Sequence, residues 1–154
     1  FGEVAWVNAW MGQQSALEIN VEDTAQLTLG FAPDALGFAT VGALILDFIR
    51  HDTTRLCTAI GESGSLRWNG LTGDVEECLA GNSKWRQVFH HAHQRDDSYR
   101  AQWQHFLTCV QTGTAPRVSG DDGQAVLAII EGARASSEAQ GARVAINIKK
   151  IYQS

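Results

Sequence analysis

The most constraining feature of this sequence is a long apolar segment, Phe38 to Ile49, with the length and composition of a β-strand. Alternate residues of a strand point to opposite faces of its sheet. One face would carry Phe38, Thr40, Gly42, Leu44, Leu46 and Phe48, and the other Ala39, Val41, Ala43, Ile45, Asp47 and Ile49. Both sets are mostly apolar, so we expect both faces of this strand to be covered. Helices of this chain can cover one face, and the other then needs another domain or another subunit.

Two shorter strand-like segments follow this one. In Thr54 to Ile60, Leu56, Thr58 and Ile60 would face one way and Arg55, Cys57 and Ala59 the other, and Ser65 to Trp68 is a third, short segment. His51-Asp52-Thr53 separates the first two segments and Glu62-Ser63-Gly64 the last two, and Gly64 is free to adopt a positive φ. Short links of this kind join neighbouring antiparallel strands. The sequence therefore predicts a three-stranded meander between Gly37 and Gly70.

Three further strands, a strand candidate at Val75 to Leu79 and two helices complete the expected fold. Phe1 to Val7, Asp23 to Phe31 and Val144 to Ile148 have strand patterns, and in the second of these Ala25, Leu27, Leu29 and Phe31 face inward. The first helix begins near Ser98, and its apolar stripe is Tyr99, Trp103, Phe106, Leu107 and Val110. The second helix runs from about Gly120 to Gln140 after a Ser119 cap, and its apolar stripe is Val126, Leu127, Ile130 and Ala133.

The prediction is one domain, 1–154, of the α+β class, with an open, mainly antiparallel or mixed sheet and two helices packed on one face.

Composition excludes several classes of function. The formal net charge is −5 and the basic residues are scattered, which argues against nucleic-acid binding. No segment approaches the roughly 18 apolar residues of a membrane span. The three cysteines, Cys57, Cys78 and Cys109, form no CxxC and suit buried, reduced thiols in a cytoplasmic protein. His90, His91 and His93 cluster without an acid or thiol partner in sequence, so we read them as a solvated loop rather than a metal site.

Four residues are candidates for contact with a substrate. Asp47 is a charge in the apolar strand, and Arg50 and His51 follow it at the strand's end. A buried charge must be partnered or lie at the edge of a pocket, so these three residues form either a substrate-contacting patch or a salt-bridged turn. Trp10 lies in a predicted loop, where it either stacks on a sugar ring or simply packs. No G-x-G-x-x-G is present, and Gly61 to Ser65 suits a hairpin turn better than a nucleophile elbow.

Several of these segments resemble one known family. The pattern LDFIR…TRLCTAIGESGSLRWNG is similar to the second half of the C-terminal domain of the Gfo/Idh/MocA oxidoreductases. Downstream, a second pattern is similar to the closing segment of the same family. It reads Tyr99…His105-Phe106-Leu107…Gly113…Pro116…Ser119-Gly120-Asp121-Asp122-Gly123…Ser136-Ser137. The resemblance covers nearly the whole chain, and the order and spacing of the motifs carry it.

The resemblance implies the C-terminal part of an NAD(P)-dependent oxidoreductase acting on a sugar, inositol or related polyol. In that family an N-terminal Rossmann domain binds NAD or NADP, and catalysis uses the lysine of an E-K-P motif with an Asp and a His of a following helix. This sequence has neither motif and begins at Phe1 rather than Met, so we expect a fragment without the Rossmann domain. Catalytic, cofactor-binding and metal residues are then expected to be absent from it.

Two expectations about partners remain. The family commonly forms dimers or tetramers through this sheet, so the resemblance implies a homo-oligomer through the open sheet face. The residues alone leave open a second hypothesis, a non-catalytic α+β module that binds a ligand or a protein.

Overall fold

The computed structural model describes residues 1–92 and 94–147, which form eight strands and two helices. The elements are β1 (Val4–Gly12), β2 (Thr24–Phe31), β3 (Val41–Asp47), β4 (Leu56–Gly61), β5 (Gly64–Asn69), β6 (Asp74–Leu79), β7 (Arg86–His90), α1 (Asp97–Thr112), α2 (Gly120–Glu138) and β8 (Val144–Ala145). They form two compact units, one made of Phe1–Arg50 with the described residues from Arg117 onward, the other of His51–Pro116. The α+β class is confirmed.

The first unit is a four-stranded antiparallel sheet with the strand order β3-β2-β1-β8. A turn follows β2, and Asp34 Oδ1 holds it by accepting the N–H groups of Leu36 and Phe38 at 2.9 Å each. The helix α2 packs on one face of this sheet, where Val7, Ala9 and Ala133 are buried together. The last predicted strand is described as Val144–Ala145, and Ile148 lies outside the described residues.

The face of α2 that meets the sheet differs from the predicted one. Ala133 is buried as expected, but Val126, Leu127 and Ile130 are 56%, 61% and 40% exposed. The contact is made instead by small residues, since Gly132, Ala133 and Ser136 are the buried positions of the helix. A Cβ at Gly132 would lie 2.5 Å from Ile146 Cδ1. The helix therefore approaches the sheet more closely than a stripe of large side chains would allow.

Two serine hydroxyls of α2 complete the hydrogen bonding of β1 beyond the short strand β8. Ser136 Oγ accepts the Ala9 N–H at 2.8 Å and donates to the Ala142 carbonyl at 2.6 Å. Ser137 Oγ accepts the Met11 N–H at 2.9 Å and donates to its carbonyl at 3.1 Å. Buried backbone groups need such partners. The hydroxyls thus replace a neighbouring strand along this part of β1.

The second unit contains a separate antiparallel sheet with the order β4-β5-β6-β7. The predicted hairpin between β4 and β5 is confirmed. Gly64 has a φ of 150°, and a Cβ at this position would lie 2.6 Å from the Cys78 carbonyl oxygen. The predicted pairing of the first two meander segments is wrong, because β3 pairs with β2 and β4 begins the other sheet. The link between them, 48–55, is longer than a tight turn. The strand β7 was not predicted.

The helix α1 ends at Gly113 in the left-handed conformation, as its sequence predicts. None of its residues is buried, and Trp103 is 62% exposed. Of the two helices expected to cover one sheet face, α2 therefore does so, whereas the apolar stripe of α1 lies on the surface of the second unit. Neither described helix has the length and apolar composition needed to cross a membrane.

Candidate functional site

The first sheet has one face turned away from α2, which we call the open face. Val7 and Ala9 point toward α2, so Trp6, Asn8 and Trp10 of the same strand point the other way. The predicted loop position of Trp10 is wrong, because β1 continues past Val7 as far as Gly12 and stays paired with β2. Strand pairing continues these positions into four cross-strand rows: Trp6–Gly30–Val41, Asn8–Thr28–Ala43, Trp10–Gln26–Ile45 and Gly12–Thr24–Asp47. The open face thus alternates aromatic, amide and hydroxyl groups rather than forming a uniformly apolar surface.

The two tryptophans of the open face have different surroundings. The Trp6 indole lies across Gly30, where a Cβ would come within 1.9 Å of it, and the Arg143 guanidinium covers the ring at 4.2 Å from its centroid. The Trp10 indole lies over Gly12, where a Cβ would be 3.1 Å from the ring, and 45% of the residue is exposed. Trp6 is therefore already occupied by a cation, whereas Trp10 offers a ring to the solvent.

A groove of about 580 Å³ lies along the two middle rows of the open face. Its lining residues are Asn8, Ala9, Trp10, Met11, Gln26, Leu27, Thr28, Ala43, Leu44, Ile45, Ser137, Gln140 and Gly141. None of these side chains carries a charge. The Asn8 amide nitrogen donates to the Gly141 carbonyl, which joins β1 to the end wall of the groove. Such a surface suits an uncharged ligand with several hydroxyl groups.

Asp47 and Arg50 form a turn at the end of β3. Asp47 Oδ1 accepts the Arg50 N–H at 2.8 Å, and the Arg50 Nε lies 3.9 Å from Asp47 Oδ2. This is the geometry of the salt-bridged turn considered from the sequence. Asp47 shares the open face with Trp10, in the next row and two strands away. His51 is exposed and belongs to the second unit.

A buried carboxylate fixes the loop beside the end of the groove. Asp23 is 2% exposed and accepts hydrogen bonds from the Ser15 hydroxyl at 2.6 Å, the Gln14 N–H at 2.8 Å and the Ser15 N–H at 2.9 Å. These bonds, the Ser15 hydroxyl first, hold the pKa of Asp23 below its ordinary value. The loop that follows Gly12 is therefore tied to the start of β2 by an ionised group.

The second sheet contains a fixed imidazole that the sequence did not reveal. His90 Nδ1 lies 2.7 Å from Asp74 Oδ1, which also accepts from Gln87 at 2.6 Å. The Thr72 hydroxyl is the main cause, and His90 the next, of a lowered pKa of Asp74. Among residues 1–92 and 94–147 no three His, Cys, Asp or Glu side chains form a candidate metal site, and His93 lies outside that range.

The cysteine prediction is corrected in part. All three thiols are free, but Cys57 is exposed and Cys78 and Cys109 are half-buried, so none of them is a core residue. The exposure follows from their positions on the second sheet and on α1, whose outer surfaces are open within that unit.

Comparison with known proteins identifies the family. Residues 1–146 match the model of the oxidoreductase family's C-terminal alpha/beta domain, GFO_IDH_MocA_C. The chain therefore belongs to the Gfo/Idh/MocA oxidoreductases, as their C-terminal domain. Among curated protein sequences, none matches it significantly.

Solved structures of low sequence identity share the fold. Aldose-aldose oxidoreductase from Caulobacter crescentus, complexed with glycerol, is 23% identical with a TM-score of 0.72, and 94% of this chain matches 42% of that one. The WlbA dehydrogenase from Bordetella pertussis, in complex with NADH and UDP-GlcNAcA, is 20% identical with a TM-score of 0.66, over 96% and 42% of the two chains. Biliverdin reductase from Synechocystis sp. PCC 6803, with biliverdin and NADP+, is 15% identical with a TM-score of 0.65, over 90% and 42%. The chain thus spans less than half the length of each.

Proposed function

We propose that this chain is the substrate-side and oligomerising domain of an NAD(P)-dependent oxidoreductase acting on a sugar, inositol or related polyol. The family match over residues 1–146 is the observation that carries the proposal. The glycerol and UDP-GlcNAcA complexes of two structural relatives favour a hydroxyl-rich substrate. A third structural relative was solved with biliverdin, so the fold alone does not determine the class of substrate. The substrate class therefore has to be argued from the residues of this chain.

The start of α2 does not fit the pyrophosphate of a nucleotide. A pyrophosphate is usually held by free N–H groups at a helix N-terminus after a glycine-rich turn. At the start of α2, Ser119 and Asp122 cap each other, and Asp121 and Asp122 occupy the first turn. Hydrogen bonds from the Ser119 N–H and hydroxyl lower the pKa of Asp122, which keeps a negative charge where a phosphate would bind. We therefore assign NAD or NADP to a separate nucleotide-binding domain.

The role of this chain is then to bind and orient the substrate and to exclude water around the hydride transfer. The candidate contacts remain Trp10, Asp47, Arg50 and His51. Trp10 has the strongest support, because its ring is exposed on an uncharged groove. Asp47 accepts the Arg50 backbone N–H and lies 3.9 Å from its guanidinium, so this carboxylate is better suited to shaping the end of β3 than to holding a substrate directly.

Self-association would use the β3 side of the open face. β3 is an edge strand, and on that face Val41 and Ile45 are 61% and 64% exposed. An apolar strand edge left in water is a site for pairing or packing with another chain. Light scattering should therefore report a dimer or larger species that Ile45→Asp dissociates. A monomer at high micromolar concentration, or an oligomer indifferent to the charge, would rule out this interface.

The proposal places the protein in the cytoplasm, where its three free thiols would remain reduced.

The alternative function is that of a non-catalytic binding module. Calorimetric titration separates the two: the whole gene product should bind NADH or NADPH, whereas residues 1–154 alone should give no saturable heat. Saturable binding by the chain alone would contradict the assignment of the nucleotide to another domain. A gene product with no nucleotide-binding sequence and no affinity for either nucleotide would favour the binding module.

A further inference from the structure

We propose that Asn69 and Gly70 form a deamidation site, which the folded second unit keeps closed and which opens when the edge strand β4 separates from the turn after β5. The product is an aspartate or an isoaspartate at position 69. The inference goes beyond the proposed function, because it concerns a chemical modification of the second sheet and needs neither a substrate nor a nucleotide.

The site is a pair of residues with a known chemical lability. The chain has five asparagines, and Asn69 is the one that a glycine follows. A deamidating asparagine is attacked by the backbone nitrogen of the next residue, and a glycine leaves that nitrogen least hindered because it has no Cβ.

The reaction consumes one water molecule and releases one ammonia. The Gly70 nitrogen loses its proton and bonds to the Asn69 Cγ, after which the Cγ–Nδ2 bond breaks and ammonia leaves. Water then opens the resulting succinimide ring at one of its two carbonyl groups. Opening at one carbonyl gives aspartate, and opening at the other gives isoaspartate, in which the main chain runs through the former side chain.

The turn between β5 and β6 favours this reaction at its first step. Asn69 Oδ1 accepts the Leu71 N–H at 2.9 Å and the Thr72 N–H at 3.3 Å. These bonds explain why an asparagine stands at the start of the turn. Attack on Cγ places negative charge on the same oxygen, and backbone N–H groups that point at a developing oxyanion stabilise it. The bonds that shape the turn therefore also polarise the amide that reacts.

The protection comes from the attacking nitrogen. The Gly70 N–H donates to the Arg55 carbonyl oxygen at 2.7 Å, and Gly70 is buried. Attack on Asn69 would have to break this hydrogen bond and remove its proton. The Arg55 side chain covers the bond, since a Cβ at Gly70 would lie 2.8 Å from its Cγ and Cδ, and its guanidinium lies 5.4 Å from the Trp68 ring centroid. One backbone hydrogen bond and one covering side chain thus hold the site closed.

The carbonyl that closes the site lies at the end of an edge strand. Among the described residues β4 pairs with β5 alone, and Arg55 directly precedes β4. Local opening of such an element requires less free energy than unfolding of the whole unit. Deamidation then proceeds at the rate of the unfolded chain multiplied by the fraction of time that the site is open. The rate at Asn69 therefore measures the opening of β4.

The modification also acts back on the sheet. Asn69 pairs with Asp74 across β5 and β6, so the new carboxylate of an aspartate would stand opposite an existing one. Like charges directly opposite each other destabilise an antiparallel pair. Asp74 in turn binds Gln87 and His90 of β7. A chain that has reacted is therefore expected to have a weaker second sheet.

The test is peptide mapping by mass spectrometry, on the whole gene product incubated at mildly alkaline pH, folded or in guanidinium chloride. The tryptic peptide 68–84 carries both Asn69 and the exposed Asn82, which Ser83 follows, so Asn82 is an internal control. In denaturant Asn69 should deamidate several times faster than Asn82. Folding should slow Asn69 by about tenfold or more and Asn82 much less. Equal slowing of the two residues, or no slowing of Asn69, would overturn the inference.

Arg55→Ala tests the closing contact, because it leaves the reacting pair and the peptide intact. It should raise the folded-state rate at Asn69 by about threefold or more and leave the rate in denaturant unchanged. Arg86→Ala is the matched control, since it removes the same kind of side chain from the other edge strand, where Arg86 pairs with Glu77. It should leave the rate at Asn69 unchanged. Equal effects of the two variants, or no effect of Arg55→Ala, would overturn the role of this contact.

Hydrogen exchange of the Gly70 N–H measures the same opening without a substitution, so the inference stays testable if Arg55→Ala does not fold. Its protection in the folded protein should match the slowing of deamidation at Asn69, and an unprotected Gly70 N–H would overturn the inference. Asn69→Asp tests the consequence for the sheet. It should lower the melting temperature at neutral pH and lose this effect in acid, where the carboxylates are protonated; a variant as stable as the wild type at neutral pH would contradict the predicted weakening.

Discussion

The hydroxyl of Ser136 makes a sharp prediction about the stability of the first unit. The side chain is fully buried, and it satisfies the Ala9 N–H at 2.8 Å and the Ala142 carbonyl at 2.6 Å. In Ser136→Ala both backbone groups lose this partner, and the Ala9 N–H is enclosed where water does not replace it. An unsatisfied buried group costs about 1–3 kcal/mol. Alanine returns up to ~0.5 kcal/mol through its higher helix propensity. The net loss is therefore about 0.5–2.5 kcal/mol.

Thermal unfolding followed by circular dichroism checks this value. We expect a fall in Tm of about 2–8 °C for a chain of this size. Ser137→Ala is the graded comparison, since its hydroxyl bonds both backbone groups of Met11 but is only half-buried, so water can replace it. It should cost less than about 1 kcal/mol. A Ser136→Ala variant as stable as the wild type, or one less affected than Ser137→Ala, would refute the role assigned to these hydroxyls.

Two further predictions concern packing and pH. Gly132→Val should destabilise the chain by about 1–3 kcal/mol in a urea titration, because the added side chain overpacks against Ile146. Gly123→Ala, whose Cβ meets nothing, should stabilise it by about 0.5 kcal/mol in the same assay. Equal effects of the two variants would contradict the close approach of α2 to the sheet. The lowered pKa of Asp23 means that its contribution is present above the ordinary pKa of 3.8 and is lost as pH falls through the lower folded value. Asp23→Asn should therefore flatten the acid limb of a stability profile, and an unchanged acid limb would show that Asp23 is not its source.

Local sequence pattern was sufficient for much of the fold. The alternation from Asp23 to Phe31 places Gln26 and Thr28 outward and Leu27 and Leu29 inward, as the structure has them. The glycine in the turn before β5 and the Ser119 cap of α2 were likewise recognisable, because each depends on a few neighbouring residues.

The face of α2 was not predictable in this way. Hydrophobicity favoured Val126, Leu127 and Ile130, but the helix meets the sheet through Gly132 and Ser136. The choice depends on how closely the helix must approach β1 and on which hydroxyls reach its backbone. Both are properties of the assembled unit rather than of the helix.

The groove was only partly recoverable. Trp10 was recognised as a stacking candidate, whereas its neighbours Asn8, Gln26 and Thr28 were not, because they lie on two strands whose pairing the local pattern does not specify. Their adjacency follows from the pairing register of β1 with β2, which includes a shift near Trp6 that local pattern does not specify. The alternation of the predicted strand Asp23 to Phe31 was the available signal for Gln26 and Thr28, whereas the first strand was predicted to end at Val7, before Asn8. Only the observed register turns these residues into one surface.

Turnover by the whole gene product tests the central claim most directly. With NAD or NADP supplied, the absorbance of the reduced nicotinamide should rise when a ring polyol such as myo-inositol or glucose is added. Trp10→Ala should raise KM about tenfold with little change in kcat, since the indole is assigned to binding rather than to the reacting atoms. No turnover of any sugar, inositol or polyol with either nucleotide would contradict the account.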